Sequence, residues 1–313
     1  MTPIAVVIVN YNTRDYLRAC LSTVFSESPS EVIVVDNASS DGSVEMVHSE
    51  FPAVVVQANK TNVGYGAAAN QAIASLKAAY VLLLNADTLL QPDALRALSS
   101  YLDLHPRAAI VGPRISEPNG KQQTSCHPFP SPLNTLLEIS ILGQLIHYIP
   151  ILRHRYLCTW THAYARVVPW VGGAALGLRR EAFNAVRGFD DSFFMYSEEV
   201  DLCYRLTLVG WQVHFAPVAT IVHVGGASTA QHRTHMTMQL FASIILFYQR
   251  HYSGLRVAEV KMVVKCVMLA RLLRDMLHLS ITRDGPTRVK LAEDISAWHR
   301  VLLGRWPVEI RNG

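Results

Sequence analysis

The sequence predicts an α/β protein: an open, mostly parallel sheet flanked by helices, followed by a helical C-terminal extension. Three observations predict it. Through the first ninety residues, short and nearly continuous apolar runs alternate with segments of helical period. That is the pattern of strands buried on both faces and joined by crossover helices. Each of these apolar runs ends in Asn or Asp, and beyond Gln231 the pattern is helical to residue 313.

Taken in order, the strands are IAVVIVN (4–10), EVIVVDN (31–37), AVVVQAN (53–59) and YVLLLNA (80–86). Between the first two, Tyr16, Leu17, Cys20, Leu21, Val24 and Phe25 recur at helical spacing within Arg14 to Glu27, and Gly66 to Lys77 reads as an alanine-rich helix. From Glu117 to Val168 the pattern loosens, with prolines at 118, 128, 130, 132 and 150. We read 117–168 as an insertion near the site, carrying an amphipathic helix in 133–152. Order returns at GGAALGLRREAF, GFDDSFFMYSEEVDLCYRL and FAPVATIVHVGGAS. The expected organisation is therefore a catalytic domain over 1–230 and a helical extension over 231–313.

Composition excludes several classes. Lys and Arg number 28 against 24 acids, too small a surplus to indicate nucleic acid. The five cysteines (Cys20, Cys126, Cys158, Cys203, Cys266) are odd in number and scattered, unlike a disulfide framework or a zinc site, and they predict a reducing, cytoplasmic setting. MTPIAVVIVNYN reads as the start of a strand rather than a signal peptide. No run reaches the roughly 18 apolar residues of a membrane span.

The strand ends carry the chemistry. Asn10 and Asn12, Asp36 and Asn37, Asn59 and Asn62, and Asn85 and Asp87 fall at four tips on one edge, where open α/β sheets bind their ligands. Each tip alone is also an ordinary turn former. Asp87 leaves a buried strand directly and suits Mg2+ or Mn2+, which take one or two carboxylates plus phosphate and water oxygens. His223, after the apolar ATIV and before a glycine pair, is the candidate second ligand, and an imidazole tilts the choice toward manganese. In SEEVDLCYRL, Ser197 is a candidate N-cap and Glu198 and Glu199 fall in the first turn, where a helix dipole favours acids whatever their role. The FFMY run beside them offers the apolar wall that turns a carboxyl into a general base. Asp201 and Arg205 stand at i,i+4, the spacing of a helix-surface ion pair.

These segments, in this order, resemble glycosyltransferase family 2, inverting enzymes with a nucleotide-binding sheet called GT-A. The resemblance runs from about Ile4 to Gln231. It implies donor binding by Val9, Asn10, Tyr11 and Asn12 in VIVNYN and by Asp36 and Asn37 in VVDNASSDGS. It extends that role to Asn62, Gly64, Tyr65 and Asn70 in NVGYGAAAN and to Asn85, Ala86 and Asp87 in LLLNADT. Where the family has a D-x-D metal motif, Asn85 replaces the first Asp, leaving Asp87 and His223 as the implied metal ligands. Gly172, Gly173 and Tyr196 resemble acceptor-side positions, and the family's Glu-Asp pair is here Glu198-Glu199, with Glu199 at the position of the base.

The wording of NYN, DNASSDGS and HVGGAS is most similar to rhamnosyltransferases of cell-surface polysaccharide assembly. That resemblance implies a dTDP-L-rhamnose donor, with UDP-hexoses and UDP-galactofuranose as alternatives, and a glycan or lipid-linked acceptor. A nucleotidyltransferase would show a glycine-rich, lysine-containing loop after the first strand, which VNYNTRDYL lacks. A sugar-nucleotide-binding scaffold subunit stays open because the first Asp is missing. Lastly, 255–279 interleaves Lys261, Lys265, Arg271 and Arg274 with apolar residues. This pattern fits a peripheral helix at the inner face of the plasma membrane, or one packing on its own domain or in a homodimer.

Overall fold

A computed structural model describes residues 2–140, 162–225 and 233–304. The chain forms two compact units. The first comprises Met1–Phe129, Cys158–Phe194 and Glu198–Ser228, and the second Pro130–Leu157, Met195–Ser197 and Thr229–Gly313. The boundary expected after residue 230, and the core of the expected insertion, lie outside the described residues.

In the first unit the chain runs β1 (Ile4–Asn10), α1 (Arg14–Ser26), β2 (Val32–Asp36), α2 (Ser43–Glu50), β3 (Val55–Ala58), α3 (Tyr65–Ser75) and β4 (Tyr80–Asn85). It continues through β5 (Thr88–Leu90), α4 (Ala94–Leu104), β6 (Ala108–Ser116) and β7 (Cys126–His127). After α5 (Pro132–Ile139) of the second unit come β8 (Arg166–Val167), β9 (Trp170–Val171), β10 (Ala175–Arg179), α6 (Arg180–Ala185), α7 (Glu198–Leu208) and β11 (Gln212–His223). The main sheet has the order β3-β2-β1-β4-β10-β6-β11-β5, with β8 also on β11. Strands β1 to β4 and the β6–β11 pair are parallel, whereas β10 runs antiparallel between β4 and β6.

Alternation along the strands divides the core. Val6, Ile8, Val34, Leu82 and Leu84 pack with Leu17, Leu21, Val24, Leu98 and Leu102 of α1 and α4. The opposite face takes the alanines of α3, whose short side chains let a helix lie close to the sheet. Two helices, α2 and α4, were not read from the sequence. Strand β3 is shorter than expected and half-exposed, being the edge strand. Neighbours of β1 lie on both sides, β2 and β4, so its C-terminal end is a switch point where ligands of such sheets bind.

The second unit is helical: α5, α8 (Arg233–His251), α9 (Gly254–Ile281) and α10 (Gly285–Leu302). Its interior holds Phe241, Phe247 and Tyr248 of α8, Val260, Val264 and Met268 of α9, and Leu291, Trp298 and Val301 of α10. Buried Asp275 accepts the indole N–H of Trp298 at 2.9 Å and pairs with Arg274 at 2.7 Å. None of the described helices is long and apolar enough to cross a membrane.

Candidate active site

At the end of β1, Asn10 is fully buried and fully engaged. Its amide donates to Asp36 Oδ2 (2.8 Å) and Ser39 Oγ (3.2 Å), and its carbonyl accepts from Thr13 Oγ1 (2.7 Å). Asp36 also accepts the Ser39 N–H at 2.8 Å. Ser39 Oγ accepts the N–H of Asn12, whose left-handed backbone (φ 51°) lets its own Oδ1 take the Ser40 N–H. The same weave continues across the edge: Asn59 donates to Asn37 Oδ1 (2.9 Å), Asn37 to Gly64 O (3.2 Å), and Gly64 N–H to Asn62 Oδ1 (3.0 Å). The polar tips thus form turns and also hold one another, fixing one wall on which Val9 and Tyr11 stay half-buried. Asn85, half-buried at the end of β4, has a side-chain amide that makes no hydrogen bond among the described residues.

Gly64 explains why this wall can meet the next loop. At φ 89°, a Cβ there would stand 2.3 Å from the Phe194 carbonyl oxygen, so only glycine fits. The Tyr65 N–H donates to that same oxygen at 2.9 Å, and its hydroxyl donates to Gly173 O at 3.3 Å. Burial first, then the charges of Glu198, Glu199 and Asp87, hold the Tyr65 hydroxyl well above its ordinary pKa. Tyr65 thus lies within electrostatic reach of all three acids.

Within α7 the two glutamates differ. Glu198 is buried, and its Oε2 has no hydrogen-bond partner among the described residues. Burial, followed by the charges of Glu199 and Asp201, pushes its carboxyl well above the ordinary range. Glu199 is only half-buried and borders Gly173, where a Cβ would lie 3.8 Å from its carboxyl group. Gly172 is fixed behind it by donating its N–H to Ser125 O at 2.8 Å.

Asp87 follows β4 and Ala86, and its carbonyl accepts the Val224 N–H at 3.0 Å, pinning it to the end of β11. His223 Nε2 stands 3.3 Å from Asp87 Oδ1. Gln123 sets the imidazole: its amide Nε2 donates to His223 O (3.1 Å), so its Oε1 faces Nδ1 (3.0 Å) and that nitrogen carries the proton. Nε2 is left facing the carboxylate, with a lone pair to offer a metal when the ring carries its one proton on Nδ1. Two acceptors face each other at a spot that a cation satisfies, so these residues fit a divalent metal. Among the described residues no third His, Cys, Asp or Glu joins them, which leaves the remaining positions to phosphate and water oxygens.

Some expected roles change. Asn70 also braces the chain: it donates to Phe189 O (2.9 Å) and Asp191 (2.8 Å) and accepts the Phe189 N–H (2.9 Å). Asp201 and Arg205 are no surface pair. Asp201 is buried, and Arg205 bonds it at 2.7 Å while donating to Val186 O and Gly188 O, tying down the turn before α7. Ser197 has a left-handed backbone (φ 65°) rather than the extended one of an N-cap. Tyr196 falls in the second unit. Gln123 carried no signal in the sequence, because its partner lies 100 residues away.

The profile of the family described as Glycosyltransferase like family 2 matches residues 2–242. The chain belongs to this family. Over 310 residues the glycosyltransferase is 30% identical to an N-acetylglucosaminyl-diphospho-decaprenol L-rhamnosyltransferase of Mycobacterium tuberculosis, covering 92% of this chain and 97% of the relative. It is 25% identical to rhamnosyltransferase WbbL of Escherichia coli, over 70% of this chain and 82% of that one. In fold it is similar to a Pyrobaculum calidifontis mannosyltransferase solved with GDP-Man and Mn2+. The TM-score is 0.54 at 16% identity, over 97% of this chain and 87% of the other. It is also similar to GalNAc-T7 solved with UDP, GalNAc and Mn2+, with TM-score 0.55 at 14% identity, over 79% and 50% of the two chains. The sheet is thus the expected GT-A type.

Proposed function

We propose that this glycosyltransferase moves L-rhamnose from dTDP-L-rhamnose to a hydroxyl of a lipid-linked glycan, with inversion at the anomeric carbon and with Mg2+ or Mn2+ bound. The observation that carries the reading is the gathering of Asp87–His223, Tyr65 and Glu199 at one sheet edge, beside the wall built on β1 and β2. Identity along nearly the whole length of a relative named for L-rhamnosyl transfer to a lipid diphosphate supports the choice of sugar and acceptor.

In this reading the donor base and ribose lie on the Val9–Asn12, Asp36–Asn37 and Asn62–Tyr65 segments, and the Asn85 amide reaches the donor. Asp87 and His223 hold the divalent ion, which when bound offsets charge on the departing diphosphate. Glu199 accepts the proton of the attacking hydroxyl, with the Gly172–Gly173 segment leaving room beside it for the acceptor. Glu199, which borders Gly173, is preferred to Glu198, which packs beside Gly66 and whose carboxyl burial pushes well above the ordinary range. The Tyr65 hydroxyl stays un-ionised and holds the Gly173 carbonyl, which fixes the wall next to Glu199. A lipid-linked acceptor also places the reaction at the inner face of the plasma membrane, with the chain attached peripherally.

The test is nucleotide release from a panel of dTDP- and UDP-sugars with Mn2+ and a prenyl-diphosphate-linked glycan. Selective turnover of dTDP-L-rhamnose is expected. Turnover of a UDP-hexose or UDP-galactofuranose instead overturns the sugar assignment, and binding without any turnover replaces the enzyme with a scaffold subunit.

A further inference from the structure

Helix α9 is apolar on two sides. Val260, Val264, Val267 and Met268 are buried within the second unit. On the opposite side Leu255, Met262, Leu269, Leu273, Met276 and Leu277 are between 48% and 72% exposed. At about 100° per residue these six fall within an arc of roughly 100°, and they run for about 33 Å along the helix. Packing on its own domain, one of the three readings the sequence left open, therefore accounts for one face and leaves the other uncovered.

Charge flanks this stripe. At the same helical spacing, Lys261 and Lys265 fall along one border, while Arg256 and Arg274 along the other are paired with Glu259 (3.4 Å) and Asp275 (2.7 Å). Among the described residues neither lysine makes an ion pair, so the uncompensated charge beside the stripe is theirs. The helix as a whole carries five Lys or Arg against two acids, one of them the buried Asp275.

We propose that this face of α9 docks on an anionic lipid surface, with the leucines and methionines entering the acyl boundary and the Lys261–Lys265 border meeting phosphate headgroups. A second copy of the chain is the poorer occupant. Antiparallel two-fold pairing sets a patch against itself, so the two lysines would meet the same two lysines across the seam. An anionic lipid surface gives both lysines a partner while covering the apolar stripe. This docking rests on the proposed function for its membrane-bound acceptor, while the exposed stripe and the two unpaired lysines beside it are what point to the lipid surface.

The experiment is co-sedimentation of the full chain with vesicles of phosphatidylcholine alone and of phosphatidylcholine with phosphatidylglycerol. Alongside it run light scattering for mass and dTDP-L-rhamnose turnover on a detergent-soluble acceptor. Expected is binding to the anionic vesicles that fades with salt. Lys261→Gln with Lys265→Gln should weaken it by about thirtyfold, and Leu269→Ser with Leu273→Ser by about a hundredfold. Turnover and melting temperature should hold, because all four side chains are exposed. No binding to anionic vesicles overturns the proposal. So does a wild-type dimer that the leucine substitutions split while vesicle binding stays the same. Vesicle binding without any rhamnosyl turnover would keep this surface and remove the acceptor reading.

Discussion

Replacing Gln123 by Leu should weaken Mn2+ binding without touching either metal ligand. The side chain makes two hydrogen bonds that act together, Oε1 with His223 Nδ1 at 3.0 Å and Nε2 with the His223 carbonyl at 3.1 Å. Together they fix both the ring orientation and which nitrogen is protonated. Without them the imidazole can turn or shift its proton to Nε2, where it would donate to Asp87 and compete with the cation. Losing such an outer partner costs about 10- to 100-fold in metal affinity, or about 1.4–2.7 kcal/mol. Two ordinary hydrogen bonds, at about 0.5–1.5 kcal/mol each, give a similar figure. The assay is Mn2+ titration followed by electron paramagnetic resonance in the presence of dTDP, with calorimetry as a check. Gln123→Glu keeps an acceptor for Nδ1 and should bind more tightly than the Leu variant. Equal Mn2+ affinity in wild type and Gln123→Leu would refute the reasoning.

Three further outcomes follow from the same geometry. An acid whose folded pKa is raised contributes stability that is present below its unfolded value near 4.5 and lost as pH climbs. Glu198→Gln should therefore raise the melting temperature at pH 7–8 and leave it unchanged near pH 4, while reducing turnover far less than Glu199→Gln, for which a loss of about 10²- to 10⁴-fold is expected. His127, stacked on Trp170 at 4.5 Å, is held down to about 4 chiefly by burial, so the unfolded chain takes up a proton first as pH falls below 6.5. Stability should decline between pH 6.5 and 4 in thermal melts, and His127→Phe should flatten that decline. Gly64→Ala would drive a methyl into the Phe194 carbonyl at positive φ, costing about 1–3 kcal/mol or more in denaturant melts and disrupting nucleotide binding.

Much of the fold was legible because β1, β2 and β4 are buried on both faces and therefore read as unbroken apolar runs. Their polar ends were legible too, since a buried strand cannot hide Asn10, Asp36 or Asp87 before the edge. The antiparallel β10 was not, because nothing local in ALGLR says that it inserts between β4 and β6. Position along a helix did not separate Glu198 from Glu199. Their neighbours did: Glu198 packs beside Gly66 and Glu199 beside Gly173, both from distant segments. The i,i+4 spacing of Asp201 and Arg205 fits a surface pair and a buried strut alike, and only the carbonyls of Val186 and Gly188 decide between them. Asn70 is a motif residue whose bonds to Phe189 and Asp191, about 120 positions away, no local pattern announces.

The most direct test of the whole account is dTDP release from dTDP-L-rhamnose with Mn2+ and a lipid-linked acceptor, run on wild type beside Asp87→Ala and Glu199→Gln. The account predicts turnover by wild type and its loss in both variants, with dTDP affinity falling in Asp87→Ala and preserved in Glu199→Gln. Turnover that survives Glu199→Gln at close to the wild-type rate would contradict it.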